Sequence, residues 1–390
     1  MKTLHRTLPF LLALLTAAQT GCALRSTDET GSQTSPDAVP AAADNTPVSD
    51  VSAPDDPAPV AEGTSVPENT DPAPELSPEA SPVESVPPAG EPEPDADFYP
   101  DGLFIYGDAF YSQAYYSETN SRWFAKTALY YSQLFGTQVS MVIAPLSSMV
   151  IHSQKLAAVI PDQKVMMDDM KAMTDPAVNF VNTYDALAAH DTEYLFFRTD
   201  HHWTQRGAYY AYAEFAKSVG LTPTPLEDLT YAVRNDDYHG SMYQFTMDDR
   251  AKTFSDTVEA WYPTKAHSMV TVTPEGETLS YDSSIVSVNS TYVTFIAGDN
   301  KYTTITVPDN PQDMTCLVLK DSFGNAFVPF LCEHYGTIVV VDPRFADENI
   351  YEKYAWMNFR DIIFVNNIEA ANSYVWSKLY MAAVGVALPD

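Results

Sequence analysis

Two short stretches of this chain carry residue types that do chemistry together: Asp200-His201-His202-Trp203 and Asp321-Ser322-Phe323-Gly324. A carboxylate, an imidazole and a hydroxyl are the parts of a nucleophilic acyl-transfer site, in which the base deprotonates the hydroxyl and the acid orients the base. Asp200 and His202 are two residues apart, so in an extended segment their side chains leave the same face and His201 points away. An Asp bonded to one ring nitrogen fixes the tautomer and leaves the other nitrogen as general base. The reading is Ser322 as nucleophile, His202 as base and Asp200 as its orienting acid.

The elements around the serine suit that role. Thr315 to Lys320 reads as a buried strand, Asn325 to Leu331 as a helix and Thr337 to Asp342 as a second strand. Together they make a βαβ unit with Ser322 at the carboxyl end of its first strand, where open α/β sheets place their ligands. Backbone N–H groups at the helix start, including that of Ser322, would stabilise an oxyanion, with Asn325 as a side-chain donor. Arg344 would hold a ligand carboxylate or assist the oxyanion; the alternative is an ion pair with Asp342 or Asp347. Trp203 and Tyr243 would stack on a sugar face or serve as packing.

Each signal alone has a plainer reading. Asp200 or Thr204 can cap the helix expected from about Gln205, where Ala208, Tyr212, Phe215, Ala216 and Val219 recur at helical spacing. His201 and His202, with Asp200, Asp237 and His239, can instead bind zinc or manganese, although no helical i, i+4 histidine pair supports it. Ser322 can be a turn residue at a strand end.

Taken in order, the stretches Phe197 to Thr204 with Gly207-Ala208-Tyr209-Tyr210, Lys320 to Phe323 with Pro329-Phe330-Leu331, and Asp342-Pro343-Arg344-Phe345 resemble the DHHW proteins of Gram-positive bacteria. These are akin to the alginate O-acetylation proteins and, through them, to the SGNH hydrolase-like superfamily. Weaker echoes are Asp101 to Ile105, Ile143-Ala144-Pro145 and Gly240-Ser241-Met242-Tyr243. The Asp-x-His motif and later Ser that form the triad in the alginate O-acetylation proteins imply Asp200, His202 and Ser322 here. The order Asp, His, Ser differs from that of typical SGNH hydrolases, and the Gly-x-Ser-x-Gly elbow is missing. The resemblance implies a serine O-acetyltransferase or acetylesterase acting on a cell-surface or extracellular polysaccharide, without metal or organic cofactor. A transferase outside the cell would take its acyl group from a membrane-bound acyltransferase partner. The reading from another class is a non-catalytic glycan-binding surface lipoprotein in cell-envelope or spore assembly.

Strands alternating with helices imply an α/β fold with a mainly parallel, SGNH-hydrolase-like sheet flanked by helices. Phe104-Ile105-Tyr106 is the expected opening strand, followed by a helix from Thr119 to Phe135 and strands at Val139 to Ala144, Leu195 to Phe197 and Asp361 to Asn366. The loop Pro145-Leu146-Ser147-Ser148 is placed for substrate contacts. Between about 255 and 310, period-two runs at Met269 to Val272, Ile285 to Val288, Tyr292 to Phe295 and Tyr302 to Ile305 predict a β-rich insertion.

Met1 to Cys22 has a basic start and a short apolar core from Leu8 to Ala18, the pattern of an export signal too short to span a bilayer. Gly21-Cys22 resembles a bacterial lipobox, with Cys22 as the lipidated anchor; ordinary cleavage is the alternative. Residues 23 to 97 hold 17 acidic residues against Arg25 alone, 15 prolines and no aromatic residue. Such a segment cannot bury enough apolar surface to order itself and is expected to act as an extended tether. It supplies −16 of the formal −31 charge, so the folded part from 98 to 390 is acidic as well. That sign argues against nucleic acid as a partner. Cys316 and Cys332 are expected to be buried thiols, not a bridge.

Overall fold

Runs of aliphatic residues with no polar alternation, such as Val139–Ala144, Thr315–Lys320 and Thr337–Val341, form strands buried on both faces, because only a sheet covered on each side hides them. The computed structural model describes residues 93–100, 102–286 and 290–389. Its central sheet has eight strands in the order Asn179–Val181, Val139–Ala144, Asp361–Asn367, Thr315–Lys320, Thr337–Val341, Tyr302–Thr306, Ser268–Val272 and Thr278–Tyr281. The first five run parallel and the last three antiparallel. This is the α/β architecture expected, and Ser268–Val272, Thr278–Tyr281 and Tyr302–Thr306 of the 255–310 stretch continue the same sheet. Of the strand expected at Ile285 to Val288, Ile285 makes a single bridge to Phe295, and 287–288 lie outside the described residues.

The helix Glu118–Phe135 starts at Ser117, whose hydroxyl accepts the Asn120 N–H, and stops at Gly136, where a left-handed φ of 68° suits glycine. Phe124 and Tyr131 on its buried face meet Phe364 of the sheet and Tyr380 of the helix Tyr374–Ala382 in edge-to-face contacts. Elsewhere the helix Gln205–Ser218 packs Tyr212 and Phe215 against Phe327. Cys316 and Cys332 are buried and unpaired.

Four other local expectations differ. Leu195 to Phe197 makes only a single bridge, Phe196 to Trp203, because the chain folds back on itself at once. The opening strand, Leu103–Tyr106, joins Asp97–Phe98 and Ala109–Ser112 in a separate three-stranded antiparallel sheet. The helix after Ser322 is one α-turn, Gly324–Phe327, that tightens into a 3-10 turn, Val328–Glu333, where Pro329 has no N–H to give. Tyr292–Thr294 is also a 3-10 turn, followed by left-handed residues at Ile296, Ala297 and Gly298 that reverse the chain. The antiparallel pair Thr230–Tyr238 and Asp256–Tyr262 is additional to those expectations. Glu93, in the stretch read as tether, accepts a bond from the Ser153 hydroxyl at 2.7 Å, so the last tether residues are held to the domain.

Phe364 is fully buried among Phe124, Tyr131 and Tyr380. Phe364→Ala is expected to lower unfolding free energy by about 3–5 kcal/mol, read from the urea midpoint at unchanged slope.

Candidate functional site

Thr204 caps the helix Gln205–Ser218 by accepting the Gly207 N–H at 3.2 Å, which leaves Asp200 free for His202. The chain reverses tightly before that cap, with the Phe197 N–H donating to the His202 carbonyl at 3.2 Å. Asp200 and His202 therefore meet across a bend and not along an extended strand. Asp200 Oδ1 accepts the His202 backbone N–H at 3.0 Å and lies 2.6 Å from Nδ1. In a bend successive side chains need not alternate. His201 accordingly does not point away: its ring centroid sits 3.8 Å from that of His202.

The other carboxylate oxygen of Asp200 accepts the Tyr238 hydroxyl and the Ser241 N–H, each at 2.8 Å. Burial by itself would raise the pKa of Asp200, but the charge of His202 and these bonds hold it well below the usual carboxylate range. Gly240 passes so close that a Cβ there would lie 2.3 Å from Asp200 Cβ, so only glycine fits. A second buried carboxylate, Asp256, accepts the N–H groups of Arg198 at 2.6 Å and Thr199 at 2.8 Å and so pins the loop from its other side.

Ser322 lies two residues beyond the Thr315–Lys320 strand, with Oγ 2.7 Å from His202 Nε2. The His202 ring is held between Tyr292, stacked at 3.8 Å and 9°, and His201, at 3.8 Å and 37°. Tyr292 donates to the Ser322 carbonyl at 2.9 Å and Trp203 Nε1 to the Phe323 carbonyl at 2.9 Å, so both loops are tied together. Asp321, buried beneath the turn, accepts the N–H of Phe323 at 2.9 Å and of Asn367 at 2.8 Å. Gly324 and Asn325 give their N–H groups to the carbonyls of Asp321 and Ser322. Among the described residues, the Ser322 N–H has no acceptor, and it is the backbone donor left for an oxyanion.

The remaining candidates are placed differently. Trp203 is fully buried and presents no face to a sugar; packing is what it does. Arg344 is held by Asp342 at 2.6 Å and Asp299 at 2.7 Å, the expected pairing with Asp342, while Asp347 pairs with Lys301. Lys320 bridges the same two carboxylates at 2.9 and 3.2 Å. Asn325 gives its amide N–H to Asp299 at 3.0 Å and so is not turned toward the nucleophile. Tyr243 is half-buried beside His239 and packs on a cluster with Leu103, Ile105 and Phe110. Cys22 lies outside the described residues.

Tyr238, Ser241, Asp256, Tyr292 and Asp299 are the site residues that sequence reasoning missed; only the Gly240-Ser241 echo hinted at any of them. Ligand atoms of Asp200, His201 and His202 lie within 4.8 Å of one another and could face one cation, without Asp237 or His239. Both Asp200 oxygens and Nδ1 of both histidines are already hydrogen-bonded inside the protein, so a metal would have to break the arrangement that reaches Ser322.

Burial pushes Asp321 up to about 6, against the pull of its backbone donors and of Arg344 and Lys320. A folded pKa above the unfolded value of 3.8 means a stabilising contribution that is complete below pH 3.8 and lost as pH rises through 6. Asp321→Asn removes that loss. Relative to wild type, the variant should gain roughly 2 kcal/mol between pH 4 and pH 7 in urea unfolding, whatever its offset at pH 4.

Several solved structures are similar to this fold. A DHHW protein from Eubacterium siraeum is 22% identical, covers 76% of this chain and 99% of its own, and superposes with a TM-score of 0.68. Bacillus cereus PatB1, solved with a sulfonyl adduct, is 16% identical over 70% of this chain and 96% of its own, with a TM-score of 0.59. The O-acetyltransferase domain of Pseudomonas putida AlgJ is more distant, 14% identical over 72% of this chain and 99% of its own, with a TM-score of 0.42. No curated protein matches. The DHHW protein model matches residues 101–341, well over half of the sequence and spanning Asp200, His202 and Ser322, and the chain belongs to the DHHW family.

Proposed function

We propose that this protein is an exported serine acyl-transfer enzyme, an O-acetyltransferase or acetylesterase acting on a cell-surface or extracellular polysaccharide. The observation that carries the reading is the continuous chain from Ser322 Oγ to His202 Nε2 at 2.7 Å and from His202 Nδ1 to Asp200 at 2.6 Å. Ser322 Oγ attacks the acyl carbonyl carbon while His202 takes its proton; the same proton then goes to the leaving oxygen, giving acyl-Ser322. An acceptor hydroxyl, from a glycan or from water, reverses the sequence and carries the acyl group away. Asp200, ionised and fully bonded, accepts the Nδ1–H of His202 and so fixes the tautomer and ring orientation that aim Nε2 at Ser322. The polysaccharide is what the resemblance of the Asp200-His202 and Ser322 motifs to those of the alginate O-acetylation proteins implies.

Export rests on the signal-like start. Among the described residues no helix is long and apolar enough to cross a membrane. The lipobox-like Gly21-Cys22 would supply a lipid anchor on Cys22, and a membrane-bound acyltransferase the acyl group. Cys22→Ser is expected to move the protein from the membrane fraction to the medium; retention on washed membranes would refute the anchor.

The reaction is tested with p-nitrophenyl acetate and with phenylmethylsulfonyl fluoride. Ser322→Ala and His202→Ala should each lower ester turnover by ~10³-fold or more, and intact-mass analysis should find the sulfonyl group on Ser322. Chelators should leave turnover unchanged. Turnover indifferent to Ser322 and abolished by chelation would favour the metal reading; no turnover and no labelling would favour glycan binding without catalysis.

A further inference from the structure

Acyl transfer builds negative charge on the carbonyl oxygen, and one backbone N–H is a weak oxyanion site by itself. The side chains best placed by sequence to add a donor, Asn325 and Arg344, are both drawn to Asp299. The first histidine of the motif is differently arranged. His201 packs against the face of His202 opposite Tyr292 and lies over Phe323 of the nucleophile turn, at 6.1 Å. Its side chain keeps 21% of its exposure.

Its two ring nitrogens have separate fates. Nδ1 lies 2.6 Å from Ser241 Oγ. That hydroxyl already accepts the His201 backbone N–H at 3.5 Å, which favours the tautomer in which Oγ donates to Nδ1 and the ring proton sits on Nε2. Among the described residues Nε2 has no partner, and it is not one of the buried polar atoms lacking one, so it opens to solvent. The result is an N–H donor, one ring from the base and beside the nucleophile turn, with no acceptor among the described residues.

We propose that the Nε2–H of His201 is the second oxyanion donor, binding the acyl carbonyl oxygen together with the Ser322 N–H. The proposal rests on the acyl-transfer reading above. As Ser322 Oγ bonds to the carbonyl carbon, the π pair moves to oxygen and is held by these two N–H groups; the pair returns when the leaving oxygen departs with the proton from His202. His201 donates a hydrogen bond throughout and transfers no proton. Burial, and then the charge of His202, push its pKa down to about 3, which keeps the ring neutral across the working range.

The test compares His201→Phe, which keeps a ring against His202 but loses the donor, with His201→Gln, which keeps a donor but loses the ring. Both are made in the full chain, with Ser322→Ala in parallel. The substrate is p-nitrophenyl acetate, and phenylmethylsulfonyl fluoride reports Ser322 reactivity independently. An oxyanion donor acts in the transition state, so His201→Phe should lower kcat by ~10²-fold with KM nearly unchanged, without displacing the pH midpoint of kcat/KM. His201→Gln should recover ~10-fold of that loss. A Phe variant as fast as wild type, Phe and Gln variants equally slow, or a displaced pH midpoint would overturn the proposal and leave only packing against His202. If wild type shows neither Ser322-dependent turnover nor labelling of Ser322, the acyl-transfer reading falls and this proposal falls with it.

Discussion

The site is organised around one buried carboxylate. Asp200 is 2% exposed, and an unsatisfied charge there would be prohibitive; it persists because four donors from two separate loops converge on it. Two come from His202, one from Tyr238 and one from the backbone of Ser241. Satisfying the charge therefore also fixes the bend that presents His202 and the turn that presents Ser241. The close approach of Gly240 is the steric side of the same constraint.

A second buried network does for the serine what Asp200 does for the histidine. Lys320 and Arg344 share Asp299 and Asp342 at the carboxyl ends of two parallel strands, and Asn325 joins through Asp299. Removing one partner would leave a buried charge uncompensated, so these groups hold one another in place. Asp321, accepting N–H groups from Phe323 and Asn367, links the nucleophile turn to the Asp361–Asn367 strand. The pattern explains why Arg344 and Asn325, attractive as ligand donors by position, face inward: each is needed to neutralise or bond Asp299.

The parallel core was legible because its strands are uninterrupted aliphatic runs, and the βαβ unit because the first run ends in Asp321-Ser322 and the next begins at Thr337. Asp200, His202 and Ser322 were legible because their chemistry is written in their types and in a recognisable order. The partners were not. Tyr238, Asp256, Tyr292 and Asp299 lie in stretches whose local pattern says only strand or turn, and their roles depend on long-range packing that no short window contains. The 3-10 turn at Tyr292–Thr294 shows the same limit: a β-branched, aromatic alternation reads as strand, but three left-handed residues after it reverse the chain.

What is fixed and what is left open then divide cleanly. Most polar atoms around the reacting serine are bonded within the protein, which gives preorganised geometry at no cost during reaction but leaves little to recognise a large acceptor. Under the proposed function, recognition would come from segments that border the site and keep exposed side chains. The loop Pro145 to Ser148, expected to contact substrate, is instead buried and bonded to Gln163 and Ser112. One segment fits by position: the short helix Ser241–Thr246, which carries half-buried Tyr243 and exposed Phe245 beyond the Ser241 N–H that holds Asp200. Because that helix is tied to the acid through its first residue, a saccharide bound along it would be registered directly against the triad.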